Sequence, residues 1–373
     1  MTAIPEKRSI ATMNATKVVS KRAFDVMIRA LGEASELVAP VSRGYDRFSF
    51  AEVEDASALQ CEGYIPTINP PKKYFLPAEE VLVEFSAPDG ATLGSGSEFR
   101  ADAVVDSPTR VLLGVRTCDI RAIAMSDRAY ADTYEDDNYF AKRERATIVG
   151  LSCPEPCDDH AFCAAMGAEN AEEGYDLLLT DWGDSWMVSV GTERGDEMLA
   201  ACDGVGEPTA EDREQWASLQ SDRRAAFAPV AEKISVEKER LPDLVDEGEG
   251  SSLWTEYGDL CLGCGRCNMV CPTCFCFDVE DEVSLDRTSG ERKRRWDGCT
   301  LLEFALVAGD ENFRSERKDR LRHKLYHKTR STFDRYEEIF CTGCARCFRT
   351  CLVDIYHPDM YNALEERLGG DSS

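Results

Sequence analysis

The sequence of 373 residues has little of what membrane spans, export signals and common enzyme motifs require. No run approaches the roughly 18 apolar residues of a transmembrane helix, and residues 1–19 lack the apolar core of a signal peptide. Dinucleotide-binding, phosphate-binding, nucleophile-elbow and zinc-protease motifs do not occur. Only four histidines are available as general bases. We therefore expect a cytoplasmic protein without a membrane span, and we predict no catalytic residue.

Basic residues are also scarce beside acidic ones. The chain has 43 Lys and Arg against 70 Asp and Glu, so its formal net charge is −27. Such a charge disfavours nucleic acid as a partner, because the phosphate backbone is repelled. The hydrophobic fraction of 43% and the charged fraction of 30% are those of an ordinary globular protein. The length suggests about two domains.

Cysteine, in contrast, is abundant, with 17 residues. Because a cytoplasmic compartment keeps thiols reduced, this number favours metal or redox ligation over disulfides. Eight of the cysteines fall in two runs with the same C-x2-C-x2-C-x3-C spacing. The first run consists of Cys261, Cys264, Cys267 and Cys271, and the second of Cys341, Cys344, Cys347 and Cys351.

This spacing is typical of 4Fe-4S ferredoxins, in which three cysteines of a run bind one cluster and the fourth binds the other. It therefore predicts two 4Fe-4S clusters with reciprocal ligation. One cluster is assigned to Cys261, Cys264, Cys267 and Cys351, and the other to Cys341, Cys344, Cys347 and Cys271. The cysteines outside the runs, Cys274, Cys276 and Cys299, are interpreted as buried packing residues, with alternative ligation as the second possibility.

The N-terminal half has a third group of cysteines. Two apolar strands are predicted at residues 111–115 and 148–151, and each ends beside a cysteine. The group consists of Cys118, Cys153, Cys157 and Cys163. A third 4Fe-4S cluster, a zinc site and unrelated free thiols all remain open there. Asp119 could supply an oxygen ligand, and His160 is interpreted as a surface residue. Cys61 and Cys202 have no partners at ligand spacing and are taken as structural.

The predicted fold class is α+β, in which a mixed α/β N-terminal domain precedes an all-α ferredoxin-like domain carrying the two clusters. The all-α prediction rests on the 69 residues between Cys271 and Cys341, whose pattern is mainly helical. The predicted segments are a flexible arm (1–20), a mixed α/β domain (21–208), a charged helical linker (209–250), an α-helical ferredoxin domain (251–365) and a disordered tail (366–373).

Basic residues concentrate between Arg287 and Arg335, where 14 Lys or Arg face 8 Asp or Glu. This basic strip is interpreted as a solvated helix face, as a surface that docks a partner, or as compensation for the negative charge of nearby clusters. His323 and His327 lie in it and are assigned to the solvated face. Arg266 and Arg346 directly precede the third cysteine of each run, and we expect them to raise the cluster potentials, unless they point to solvent.

Several blocks resemble the family that contains the A-type subunit of anaerobic sulfite reductase and the β subunit of sulfhydrogenase. They are Gly114-Val-Arg-Thr-Cys-Asp119, Gly150-Leu-Ser-Cys153, Phe162-Cys-Ala-Ala-Met-Gly167, Tyr175-Asp-Leu-Leu-Leu-Thr-Asp181 and Cys271-Pro-Thr-Cys-Phe-Cys276, together with Pro70-Pro-Lys-Lys-Tyr-Phe-Leu-Pro77. The matching blocks extend from about residue 20 to residue 360.

This resemblance implies an iron-sulfur electron-transfer subunit of a multi-subunit oxidoreductase. Such a protein relays electrons between a catalytic subunit, either a sirohaem sulfite reductase or a NiFe hydrogenase, and a flavin and NAD(P)-binding reductase subunit. The alternative function is a self-contained iron-sulfur oxidoreductase with its own substrate site, and the third is a protein in which clusters only hold the fold.

Overall fold

The N-terminal half is built on a mixed β-sheet in this computed structural model, which describes residues 16–44, 47–54, 65–94, 96 and 98–370. The strands in chain order are β1 (Thr16–Ser20), β2 (Glu36–Ser42), β3 (Phe48–Glu52), β4 (Glu79–Ser86), β5 (Arg100–Ala103), β6 (Arg110–Arg116), β7 (Ala146–Leu151), β8 (Leu177–Trp182), β9 (Ser185–Val190), β10 (Phe277–Val283), β11 (Ser289–Trp296), β12 (Leu306–Val307) and β13 (Glu311–Asn312).

The helices complete the fold. In chain order they are α1 (Lys21–Gly32), α2 (Thr117–Tyr130), α3 (Asp137–Glu144), α4 (Glu193–Ala200), α5 (Ala210–Ala231), α6 (Leu241–Glu247), α7 (Leu253–Leu260), α8 (Arg266–Met269), α9 (Arg317–Tyr326), α10 (Thr332–Tyr336), α11 (Arg346–Arg349) and α12 (His357–Gly370). A π-helical turn, His327–Ser331, joins α9 to α10.

The main sheet has seven strands in the order β1-β9-β8-β7-β6-β2-β3. Its centre, from β2 through β6 and β7 to β8, is parallel, while β1, β3 and β9 pair in the antiparallel sense. Strands β6 and β7 are apolar along their length because both faces of the sheet are covered. The strands predicted at residues 111–115 and 148–151 are therefore confirmed.

Two apolar cores cover the two faces of this sheet. One contains residues of α1 and α4, including Phe24 and Leu199, together with Cys202. The other contains residues of α2 and α3, including Ile120 and Tyr139. Because β6 and β7 are parallel, their carboxyl ends lie at the same edge, and the chain leaves both strands there.

The C-terminal half has its own helical core. Residues of α6, α7, α9 and α12 pack together, and Leu241, Leu244 and Val245 of α6 are fully buried. The structure therefore differs from the predicted linker at 209–250, since α6 belongs to this core. Residues 16–20 of the predicted arm form β1, and residues 366–370 of the predicted tail belong to α12. The remainder of the arm and tail, and Cys61, lie outside the described residues.

The prediction of an all-α ferredoxin domain is not confirmed. Strands β10 and β11 lie between the two cysteine runs and join β4 and β5 of the N-terminal half in a four-stranded sheet, β10-β11-β4-β5. Residues 303–307, expected to be helical, form a short 3-10 turn and strand β12. The sequence of β11 has no alternation of apolar and polar residues, so it gave no sign of a strand. Charged pairs rather than an apolar face hold this strand in the sheet.

Buried ion pairs connect this sheet to the main domain. Arg294 of β11 is 1% exposed and donates to Glu80 of β4 and to Asp136, which caps α3. Lys142 of α3 also pairs with Glu80. The two halves of the chain therefore interlock rather than follow one another along the chain. Among the described residues, the helices are too short or too polar to cross a bilayer.

Candidate metal centres

The two cysteine runs fold in the same way. Gly263 and Gly343 stand at the same place in their runs and both have φ of +63°, a left-handed conformation that a side chain disfavours. The residues before α8 and α11, Gly265 and Ala345, are also left-handed. In the first run the turn directs the amide of Gly263 to the Cys261 sulfur at 3.4 Å. Each run therefore forms a loop whose backbone turns around its thiols.

One cavity, of about 470 Å³, is lined by three cysteines of the first run and by two of the second, Cys351 and Cys347. Four of these five form the first set that the sequence assigned to a cluster. They are Cys261, Cys264, Cys267 and Cys351. Cys264 is exposed, as are Leu262 and Leu352 at the rim. The amide of Ile355 donates to the Cys351 sulfur at 3.4 Å. We call this the larger cavity; it opens to the protein surface.

A second cavity, of about 340 Å³, has the reverse composition. It is lined by Cys341, Cys344 and Cys347 of the second run and by Cys271 of the first. Burial raises the pKa of Cys341 to about 11. The hydrogen bond from Cys274 outweighs burial and lowers the pKa of Cys271 well below its ordinary value. We call this the smaller cavity. The structure thus brings together both sets of four cysteines that the sequence assigned.

The walls of the smaller cavity contain polar groups without protein partners. His357 and Thr342 line it, and the Nδ1 atom of His357 and the hydroxyl of Thr342 are buried without a hydrogen-bond partner. Burial lowers the pKa of His357 to about 3, which keeps the imidazole neutral. Buried polar groups normally have partners. Acceptors such as the sulfides of a 4Fe-4S cluster would satisfy them, so the residues present fit that group.

Two lysines that the sequence reasoning missed also reach these cavities. Lys324 of α9 lines both, and Lys328 of the π-helical turn lines the smaller one. Together with Leu321 and Leu325, they occupy positions i, i+3, i+4 and i+7 of one helix face. That spacing could have identified them, because two lysines fall within a stripe that otherwise packs in the core.

The helical part of the basic strip is therefore only partly a solvated face. Lys324, Lys328 and Arg320 are buried. The guanidinium of Arg320 donates to backbone carbonyls of Thr300, Arg314 and Ser315. His323 and His327 are half-buried beside each other, and burial lowers the pKa of each to about 4. The buried cations fit the third interpretation of the strip, in which its positive charges compensate the negative charge of nearby clusters.

The other part of the strip, in β11, is neutralised within its own sheet. Arg292 pairs with Asp281, and Lys293 pairs with Glu282 and Glu291. Arg295 pairs with Glu79 and other carboxylates of the neighbouring strands. The basic side chains of β11 thus already have carboxylate partners within this chain, so they do not need a partner protein to neutralise their charge.

The third group of thiols meets at the carboxyl edge of the main sheet. Cys118 is the second residue of α2, which directly follows β6, and Cys153 lies two residues after the end of β7. The Thr117 hydroxyl lies 3.9 Å from the Cys153 sulfur. Cys118, Cys153, Cys157 and Cys163 belong to one packed cluster, which also contains Cys344 of the second run. Burial raises the pKa of Cys118, Cys157 and Cys163.

This group is joined directly to the second cysteine run. The amide of Phe162 donates to the carbonyl of Gly343 at 2.9 Å. A Cβ atom on Gly343 would lie within 2.6 Å of the Cys163 nitrogen and closer still to the Phe162 carbonyl. Arg349 of α11 donates to the Cys157 sulfur at 3.3 Å and to Asp158. The third group therefore lies against the wall of the smaller cavity.

Asp119 and His160 do not behave as possible ligands. Both carboxylate oxygens of Asp119 accept hydrogen bonds from Arg346, at 2.6 and 2.8 Å. His160 is exposed, and its ring packs against Phe348. Arg346, which pairs with Asp119, is fully buried. Arg266, at the same place in the first run, is exposed and lines the larger cavity. The two arginines do not have equivalent surroundings.

Two of the remaining cysteines, Cys274 and Cys299, lie beside the same side chain, that of Asn268. Asn268 donates to the sulfur of Cys299 at 3.3 Å and lies 3.8 Å from that of Cys274.

Within the described part of the chain, no group of three or more Cys, His, Asp or Glu is arranged to hold a metal ion. A single zinc ion needs each sulfur at about 2.3 Å from one point. A cubane instead presents a separate iron to each thiolate, so its ligands stand farther apart.

The comparisons with known proteins agree with this geometry. Residues 260–355 match the family model of a 4Fe-4S dicluster domain. The sulfhydrogenase 2 subunit β of Pyrococcus furiosus is 33% identical over 346 residues, which cover 92% of this chain and 97% of the relative. No solved structure matches the chain. Since the identity extends over nearly all of both proteins, the chain belongs to the sulfhydrogenase subunit β family, as the sequence blocks had indicated.

Proposed function

We propose that this protein is an iron-sulfur electron-transfer subunit of a multi-subunit oxidoreductase. The observation that carries the proposal is the pair of cavities, each lined by three cysteines of one run together with the last cysteine of the other run. When bound, 4Fe-4S clusters take up and release single electrons. Cys261, Cys264, Cys267 and Cys351 would hold one cluster, and Cys341, Cys344, Cys347 and Cys271 the other.

The short separation of the two positions supports transfer between them. Cys347 lines both cavities, so one thiol belongs to the wall that they share. A role of the clusters in stability alone would not require two redox groups side by side. Both cavities are lined by the cysteines of the runs, which leaves neither of them free as the substrate site of a self-contained enzyme.

The third group of thiols extends the row. Cys344 packs in the same cluster as Cys118 and Cys163, while the larger cavity lies on the other side of the shared wall. We propose that Cys118, Cys153, Cys157 and Cys163 hold a third 4Fe-4S cluster. In space, the proposed redox centres then follow one another from the third group of thiols through the smaller cavity to the larger cavity.

The proposed partner subunits are based on the similar protein of Pyrococcus furiosus and on the proposed row of three clusters. The Pyrococcus furiosus protein is a subunit of a sulfhydrogenase. We propose that this chain likewise works in a complex, between a catalytic subunit of the NiFe hydrogenase type and a flavin and NAD(P)H-binding reductase subunit. A sirohaem sulfite reductase is the second candidate for the catalytic partner. A cytoplasmic location is proposed because cluster-binding thiols need a reducing compartment.

The test is iron and acid-labile sulfide analysis of the full-length chain, purified without oxygen, with electron paramagnetic resonance (EPR) of the reduced protein. About twelve irons per chain are expected for three clusters, and about eight if only the two cysteine runs are loaded. If three clusters are present, a Cys153→Ala variant should lower the iron content from about twelve to about eight per chain. A chain with fewer than about eight irons and no reduced-state signal would contradict the electron-transfer function.

A further inference from the structure

The two lysines that face the cavities are placed where a cation is costly. Lys324 and Lys328 are each 3% exposed. An isolated ammonium inside a protein is strongly disfavoured unless negative or polar groups compensate it. Lys328 donates to the Thr273 hydroxyl at 2.7 Å and to the Phe340 carbonyl at 3.2 Å. These neutral partners satisfy its hydrogen bonds but do not neutralise its charge.

Lys324 differs from Lys328 in what surrounds it. It lines both cavities, a position that it shares with Cys347, whereas Lys328 lines only the smaller cavity. The ammonium group of Lys324 lies beside the Cys267 and Cys347 thiols. Cys267 belongs to the larger cavity and Cys347 to both. The compensation for Lys324 therefore comes from the cluster thiols of both cavities.

We propose that Lys324 is a shared cation that raises the reduction potentials of the clusters in both cavities together, whereas Lys328 acts on the smaller cavity alone. The proposal rests on the ligand assignment given under the proposed function. On reduction each cluster gains one electron and its charge becomes one unit more negative, while no bond forms or breaks. A fixed positive charge at the common wall stabilises each reduced form more than the oxidised form.

Such a cation has a functional consequence. If both clusters depend on the same charge, their potentials move together and the difference between them is preserved. A cation beside only one cluster would instead change that difference and oppose transfer in one direction. Lys324 is thus a positioning residue for charge, since it contacts the cluster thiols and takes no part in a chemical step.

The experiment compares matched variants of the full-length chain in EPR-monitored redox titrations with dithionite. Lys324→Met should shift two of the measured potentials to more negative values. Lys328→Met, one turn farther along the same helix face, should shift one. Lys324→Arg keeps the charge and should leave both close to those of the original chain. Lys318→Met, at an exposed position of α9, should shift none.

Distinct outcomes separate this role from the proposed function. Two intact clusters whose potentials stay unchanged in Lys324→Met, or of which only one shifts, would overturn the role of Lys324 and leave the function standing. If Lys324→Met loses a cluster, Lys324→Gln is judged by the same criterion, because glutamine can still donate to Cys267. An original chain without two clusters would overturn the proposed function itself, and the role of Lys324 with it.

Discussion

The larger and smaller cavities arise from cysteine runs of identical spacing, yet their surroundings differ. The larger cavity has an exposed cysteine, Cys264, and exposed leucines at its rim. The residues that line the smaller one are more deeply buried, among them Cys344, His357 and Phe162. The spacing defines which cysteines come together. Solvent, buried cations and the neighbouring half of the chain define the electrostatic environment in which they work.

The largest expected effect concerns Arg346 and Arg266, which occupy the same place in the two runs. Arg346→Leu leaves the Asp119 carboxylate buried without its partner, which costs about 3–5 kcal/mol of unfolding free energy. Arg266→Leu removes an exposed charge, and a change within about 0.5 kcal/mol is expected. Anaerobic chemical denaturation measures both.

A double variant provides the control for Arg346. Arg346→Leu combined with Asp119→Leu removes both charges, and replacing a buried pair by apolar residues is often close to neutral. It should therefore recover most of the stability lost in Arg346→Leu. Equal losses in the Arg346 and Arg266 variants would show that the two runs do not differ in this way.

The next effect compares Gly343 with Gly263. Alanine at either position adopts a left-handed backbone conformation, at about 1–2 kcal/mol. Only at Gly343 does the added Cβ also overlap the backbone of Phe162 and Cys163, whereas at Gly263 its nearest neighbour is the flexible end of Arg320 at 3.3 Å. Gly343→Ala should therefore lose a further ~1–3 kcal/mol.

Thermal unfolding and iron content check this pair. Gly343→Ala should also lose iron from the third group of thiols, since the overlap displaces the backbone at Cys163. Comparable melting temperatures for the two variants would mean that the backbone at Cys163 can shift easily, so that the contact between the third group of thiols and the second run is weaker than the packing indicates.

A smaller effect depends on pH and concerns His327, which precedes Lys328. Burial and then Lys328 lower its pKa to about 4, below the ordinary value of 6.5. The unfolded chain therefore binds a proton that the folded chain does not, and stability falls as the pH decreases from about 6.5 towards 4. His327→Phe should remove roughly 1–2 kcal/mol of this acid sensitivity at about pH 5.

Denaturation midpoints at several pH values measure the effect of His327. The Nε2 atom of His327 is buried without a hydrogen-bond partner, so a phenyl ring leaves no broken hydrogen bond there. His160→Phe, at an exposed position, serves as the control and should keep the original pH profile. An unchanged profile in His327→Phe would assign the acid sensitivity to other groups.

The smallest effect involves reactivity without a change in stability. After chelation of the metal, Cys264 should be alkylated first, because it is exposed. Burial raises the pKa of Cys341 to about 11, so at about pH 8 roughly one thiol in a thousand is ionised there. Peptide mapping by mass spectrometry gives the order. Equal rates at the two positions would show that the smaller cavity opens when the metal is removed.

Much of the metal centre could be predicted from the sequence, because its signals are local. The repeated spacing defined two sets of four cysteines, and the cavities bring together the same sets. The strands before Cys118 and Cys153 were recognised because buried parallel strands are continuous apolar runs. The resemblance of the blocks at Gly114 and Cys271 indicated the family that the relative shows.

The errors came from contacts between distant segments. Strand β11 is held by pairs of its arginines with β4, more than 200 residues earlier, so its own sequence has no apolar alternation that predicts a strand. The sequence could not decide whether the basic strip is a solvated face, a docking surface or charge compensation, because the thiols beside the Lys324 side chain lie in other segments. The pairing of Arg346 with Asp119 was equally invisible, since it joins the two halves of the chain.

The sequence by itself determined the kind of metal centre and the reciprocal sets of cysteines, because ligand spacing along a short run is a local property of the backbone. The tertiary structure decided which cavity has exposed residues at its rim and which cations face each cavity, and it placed the third group of thiols beside the second run. These properties depend on burial and charge, and both are set by residues that meet only when the chain folds.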